Sequence, residues 1–375
     1  MFKKSLLILI PILLLTAMVL AQPLVWNTAS SLPIPIRTVT VIYYNGYVYS
    51  IGGRPTGEGA GTHAIDNVYY AAVNPDGSIG SWTTTTFLPI KLALHGAYGY
   101  NNRIYVWGGW KEDYTTMNTC LYAPINPDGS IGTWVTSSVT IPDAPGPVSQ
   151  MDSFGRGVLG YNDTLYIIGG EINDGTYTGR CYYSKIQLSG DYGAWVETTA
   201  LPTQDQLLNP IGGYWFHGVM IVEGSSQNYI YMVGGNHGGT TESHIIINTI
   251  NADGSLGASW TWATNFLGQA TYELGCAFGF DSIFALGGLN GSTPLDTVQR
   301  CVVNPTTGDI TSVTADTPLP GARARTSAVG YEVSGESYVL LVGGGGYAGA
   351  DPIYTDCWYS IVPRPTKSYP WSLYE

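Results

Sequence analysis

Charge is scarce in this chain. Only 11% of its 375 residues are Asp, Glu, Lys or Arg, and acids outnumber bases enough to leave a formal net charge of −12. No run of Lys and Arg occurs in the body of the chain, so nucleic acid is not an expected partner, because phosphate binding depends on basic side chains that displace counterions. Past the first 21 residues there is no apolar run of membrane length, so no membrane span is expected in the body. There is no H-E-x-x-H, no P-loop and no C-x-x-C, and neither a cofactor nor a metal is expected. No long helical periodicity appears.

The amino terminus stands apart. Lys3 and Lys4 precede an apolar stretch from Ser5 to Ala21, and Val19-Leu20-Ala21 ends in small or permitted residues before Gln22. This is the layout of an export signal over residues 1–21, with an uncleaved anchor as the alternative. The expected location is outside the cell or on its surface.

Glycine and tyrosine are abundant, and both follow a repeat. A short β-rich run ending in two glycines recurs six times, at Gly52-Gly53, Gly108-Gly109, Gly169-Gly170, Gly234-Gly235, Gly287-Gly288 and Gly343-Gly344. The second glycines are 56, 61, 65, 53 and 56 residues apart. Tight-turn signals such as Tyr44-Asn45-Gly46 precede these runs, and a variable polar loop follows each one. A third strand comes next, then turns such as Asn74-Pro75-Asp76-Gly77. The fourth strand is expected to carry Trp82, Trp134, Trp195 or Trp260; the fifth unit, around Ile310, has none. Six units of four antiparallel strands predict an all-β, six-bladed propeller over residues 22–362, with residues 363–375 as a tail on or near the last blade. The last blade lacks a fourth strand of its own. Leu24-Val25-Trp26-Asn27 can supply it and close the ring; the tail with Trp371 competes for that place.

The paired glycines and the tryptophans resemble the Kelch-repeat family, over nearly the whole chain after the leader. The resemblance implies a Kelch-type propeller. Glycine-rich Gly344 to Gly349 matches a dinucleotide fingerprint, but a loop and a strand follow it where a helix is needed. The His and Tyr constellation of Kelch-type copper oxidases does not map onto this chain.

Four of the five cysteines, Cys120, Cys181, Cys301 and Cys357, share one repeat position. Equivalent positions in neighbouring blades are too far apart for a disulfide, so buried free thiols are expected, Cys276 included.

Antiparallel topology puts the segment entering each first strand on the same face as the loop after Gly-Gly. Any site is therefore expected on that long-loop face. Arg37, His95, Arg156, His217, Arg323 and Arg325 gather at the strand-one entries and are the candidate ligand-binding residues. They either ring the channel mouth and attract a carboxylate, sulfate or acidic sugar, or form structural hydrogen bonds between blades. The loops add Glu58, His63, Asp66, Glu112, Asp113, Glu171, Asp174, His237, Glu242, Asp296, Asp351 and Asp356, with Trp110, Tyr114, Tyr177 and Tyr347 available to stack on sugar rings. Asn162 and Asn290 begin glycosylation sequons.

Two functions fit. One is a binding or assembly module whose long-loop face engages a glycan or a surface protein, or a second copy of the chain. The other is a carbohydrate-active enzyme resembling the Kelch-type sialic-acid mutarotases, with an Arg/His mouth. No catalytic residue is assigned.

Overall fold

The computed structural model describes residues 22–55, 63–113, 115–142, 148–150, 159–172, 176–204, 214–347 and 351–365. Among these, every regular element is a strand, and the strands form six antiparallel blades around one axis. The leader, Arg156 and Trp371 lie outside the described residues.

First strands of neighbouring blades pack on one another, blade 1 on blades 2 and 6 and blade 5 on blades 4 and 6, which places those strands innermost. Second strands are buried on both faces, because each blade is covered by the blades on either side. Ile104, Tyr105, Val106 and Trp107 are all fully buried. This explains their nearly unbroken apolar character where a one-sided sheet would alternate. Blade 3 is larger than the others. Its second and third strands, Thr164–Ile172 and Thr176–Lys185, run past the double glycine, and Val148–Gln150 pairs with the extension.

The N-terminal strand closes the ring. Asn27–Ala29 pairs antiparallel with Cys357–Val362, Asn27 facing Tyr359 and Ala29 facing Cys357. The approach to it is pinned as well. Leu24 donates its N–H to Asp316 at 2.7 Å, and Asp316 forms a buried ion pair with Arg300 at the same distance.

Paired glycines are required for two reasons. First glycines have φ between 55° and 65°, which other residues adopt only at a cost, and second glycines between 90° and 116°, where a side chain is strained. The entry segment of the next blade also passes within touching distance. A Cβ on Gly287 would sit 2.6 Å from the Arg323 carbonyl, and the Gly288 N–H donates to that same carbonyl at 3.0 Å.

On the opposite face, a tyrosine in the second strand reaches the third-to-fourth turn of the next blade. Tyr49 donates to Gly129 O, Tyr105 to Gly190 O, Tyr166 to Gly254 O and Tyr231 to Gly308 O, at 2.6–3.0 Å.

The tryptophans do not lie in the fourth strands as expected; Trp82, Trp134, Trp195 and Trp260 each stand one residue before them. The reason is where the indole N–H must go. Trp82 donates to Ser30 O, Trp134 to Thr86 O, Trp260 to Thr199 O and Trp26 to Thr317 O, each on the preceding blade. Trp195 reaches Cys120 Sγ at 3.4 Å instead. In blade 5, which lacks the tryptophan, Asp309 does the equivalent work by accepting from the Thr264 N–H at 2.8 Å.

All five cysteines are free and buried. Burial raises their thiol pKa values, to about 12 for Cys120, Cys181, Cys301 and Cys357, which makes them poor nucleophiles.

Candidate functional site

The long-loop face is built as topology requires. In five blades the segment entering the first strand bridges to the loop that follows Gly-Gly in the same blade: Arg37 to Arg54, Ala93 to Trp110, Trp215 to Asn236, Tyr272 to Leu289 and Ala324 to Gly345. One residue further on, Thr38, Leu94, Phe216, Glu273 and Arg325 all adopt a left-handed backbone with φ of 54–60°. None is glycine, and the conformation is held from outside by hydrogen bonds around the axis. Leu94 donates to Thr38 O, Thr38 to Arg325 O, Arg325 to Glu273 O and Glu273 to Phe216 O, at 2.9–3.3 Å. This backbone collar rings the axis on the loop face.

The five described candidates, all but Arg156, occupy three different places relative to the collar. Arg325 belongs to it and pairs with its neighbour Glu273 at 2.8 Å, both buried. Its guanidinium also lies 5.9 Å from the centre of the Tyr347 ring, and Tyr347 is 43% exposed. Arg37 precedes the collar and donates toward Gly346 O at 3.5 Å. Arg323 is sandwiched 3.5 Å from the Trp358 ring and 4.4 Å from Tyr354, and donates to Gly343 O. Burial lowers its pKa to about 10. His95 and His217 follow the collar and are buried. His217 Nε2 bonds the Ile168 carbonyl of the neighbouring blade at 3.0 Å, and burial depresses its pKa to about 4. The described candidates thus do not converge on one point. Arg325 faces the mouth, and the others are held within or between blades.

Aromatic side chains converge instead. Tyr177 of blade 3 stacks on Trp215 of blade 4, centroids 4.5 Å apart and planes 14° from parallel. Trp215 contacts Phe216 at 4.4 Å and Tyr272 of blade 5 at 6.3 Å. Phe216 packs both on the Ala64, Ala93 and Leu94 cluster of blades 1 and 2 and on the Tyr272, Leu289 and Ala324 cluster of blades 5 and 6. It therefore reaches across the mouth. The indole N–H of Trp215 and the hydroxyl of Thr38 are buried with no hydrogen-bond partner among the described residues. Tyr177 and Tyr347 were legible as loop aromatics. Trp215 and Phe216 were missed, although they directly precede His217, and so was Glu273, which has no basic candidate near it in the sequence.

Beside this row, Glu242 of the blade 4 loop is buried between two imidazoles. One oxygen meets His237 Nε2 at 2.8 Å and the other meets His244 Nδ1. His237 packs edge-on to Tyr214, next to Trp215. The Glu-x-His spacing of 242 and 244 in a chain with five histidines was the available signal for His244.

The other loop candidates are dispersed. His63 bonds Arg54, Glu112 accepts from the Ala64 N–H, Asp113 caps Thr115, and Asp356 faces Arg323 at 3.5 Å. Asp66, Asp296 and Asp351 lie apart in blades 1, 5 and 6. Glu58, Tyr114 and Asp174 lie outside the described residues, as does the side chain of Glu171. Trp110 packs on Ala93 and Leu94. Among the described residues no group of three or more His, Cys, Asp or Glu is placed to hold a metal ion. Asn162 and Asn290 are both exposed.

Comparison with known proteins agrees on architecture. The solved structure of YjhT superposes with a TM-score of 0.60 at 14% sequence identity, over 88% of this chain and 95% of that one. At that identity the likeness shows the propeller fold alone. No family model matches the chain, and no curated protein sequence matches it. The chain is a six-bladed β-propeller, a scaffold that serves binding and enzymatic modules alike. Among the described residues no helix is long and apolar enough to cross a membrane.

Proposed function

We propose that this protein is an extracellular, Kelch-like carbohydrate-binding propeller whose long-loop face receives a glycan. One observation carries the reading: the aromatic row from Tyr177 through Trp215 and Phe216 to Tyr272, with two buried polar groups that have no hydrogen-bond partner among the described residues. Sugar rings offer C–H faces to aromatic planes and hydroxyls to orphan donors and acceptors. The Arg325–Glu273 pair at the same mouth supplies a charged edge for hydroxyl pairs or for an acidic sugar. A glycan-array screen of Gln22–Glu375, beside the Trp215→Ala and Arg325→Ala variants, tests the reading. Loss of the wild-type signal in both variants is expected. No binding by the wild type to any glycan sinks the glycan reading and moves the weight to a protein partner.

A second reading, a carbohydrate-active enzyme, draws on one observation. Glu242 between His237 and His244 is a buried acid–base group beside the aromatic row. If it turns over sugars, anomer exchange followed by NMR accelerates with the wild type and not with Glu242→Gln. Equal rates for the two proteins discard that reading.

A further inference from the structure

We infer a second, separate saccharide site on the opposite face, in the groove between blades 3 and 4. The repeat shows why a groove exists there. The residue five positions before the first glycine of each pair is Tyr47, Arg103, Thr164, Tyr229, Ser282 and Tyr338 in blades 1 to 6, and Ser282 has no turn to cover because the outer strand of blade 6 comes from the N-terminus. In four of these blades a long side chain lies over the turn glycine of the next blade: Tyr47 over Gly129, Arg103 over Gly190, Tyr229 over Gly308 and Tyr338 over Gly77. In blade 3 the position is Thr164, and the space above Gly254 is met by its short branch at 2.9 Å and by the Lys185 side chain at 3.1 Å. With neither a ring nor a guanidinium there, a groove remains, lined by Thr164, Lys185 and Gly254.

The groove has a volume of about 490 Å³, within the range of small-ligand sites. Its walls are polar and held in place. Tyr161 donates to Glu223 at 3.0 Å and accepts from the Asn228 amide at 2.9 Å. Lys185 bonds Asp163 at 2.7 Å, and the Gln227 amide donates to Ile250 O. A wall of pre-oriented amides, a phenol and one neutralised ion pair suits a neutral polyhydroxyl ring, because hydroxyls both donate to and accept from such groups. A strongly charged ligand would find Lys185 already paired with Asp163. Asn162 stands at the lip, so the test uses chain made in a host without N-glycosylation.

The test is saturation-transfer NMR with methyl glycosides of glucose, galactose, mannose and N-acetylglucosamine. At least one should show transfer from the wild type. Thr164→Tyr restores the residue that blades 1 and 4 carry, fills the groove, and should abolish that transfer while leaving the melting temperature within a few degrees. Lys185→Met keeps the shape but removes the ammonium, and should weaken binding about tenfold or more. Trp215→Ala, on the other face, should leave the signal unchanged, which separates this site from the aromatic mouth. The inference is overturned if no glycoside shows transfer from the wild type, or if folded Thr164→Tyr gives the wild-type signal.

Discussion

Two neighbouring interfaces of the ring are held by different chemistry. Between blades 4 and 5, Tyr231 passes its hydroxyl to Gly308 O at 2.6 Å, and Asp309 clasps Thr264. Between blades 5 and 6, the position of Tyr231 is Phe284, which has no hydroxyl. The acceptor is missing too, because the outer strand of blade 6 arrives from the N-terminus and no third-to-fourth turn exists there. Buried charge takes over that interface: Arg325 with Glu273 on the loop face, and Arg300 with Asp316, which holds Leu24. The blade 6 to blade 1 contact has its own substitute. Leu340 stands at the tyrosine position, and Tyr331 of the first strand donates to Gly77 O at 2.7 Å. A hydroxyl appears where the neighbouring blade offers a turn, and chain closure by two ends calls for ion pairs.

This contrast is open to test. The largest effect is expected from Arg325→Ala, which leaves the Glu273 carboxylate buried without its guanidinium. A loss of about 3–5 kcal/mol in urea unfolding is expected, with partial recovery when Glu273→Gln is added. Recovery that fails to appear would mean that the pair does not hold the closing interface.

His217 probes the interface between blades 3 and 4, where it bonds Ile168 O. Its folded pKa of about 4 lies below its ordinary 6.5, so the unfolded chain takes up the proton first. Its contribution is present above pH 6.5 and is lost as pH falls toward about 4, by up to about 3 kcal/mol. Unfolding midpoints of the wild type and His217→Gln across that range should converge at acid pH. Parallel curves would refute the assignment.

Phe284→Tyr places a hydroxyl where no turn carbonyl waits. It should destabilise by about 2 kcal/mol, the cost of burying an unsatisfied group. Stabilisation would show that the 5–6 interface holds an acceptor after all. The smallest effect belongs to Tyr231→Phe at the neighbouring interface, about 1 kcal/mol for one lost hydrogen bond. The two changes are mirror images, and equal effects from them would dissolve the comparison.

Much of this architecture is written locally. The double glycines, the Asn-Gly and Asn-Pro-Asp-Gly turns and the alternation of strand-forming runs each depend on backbone conformations that only certain residues adopt. Their sixfold spacing therefore revealed six blades, and the missing fourth strand of the last unit pointed to the N-terminal segment. The loop face followed from antiparallel topology alone. The site was less legible. Arg37, Arg323, Arg325, His95 and His217 look alike in sequence, as basic residues near a strand entry. They differ by one or two residues in register relative to the left-handed collar, and that offset decides whether a side chain enters the mouth or a blade interface.

What the sequence alone determined, then, is the periodic part: blade count, turn positions, the face that carries the loops, and buried unbridged cysteines. These depend on φ preferences and on geometry that repeats. Only the tertiary structure decided that Phe216 crosses the channel, that Trp215 stacks on Tyr177, that Glu242 joins two histidines, and that Thr164 leaves a groove where other blades place a ring. Each of these depends on a distance between residues of different loops or blades, set by how six units wrap around one axis.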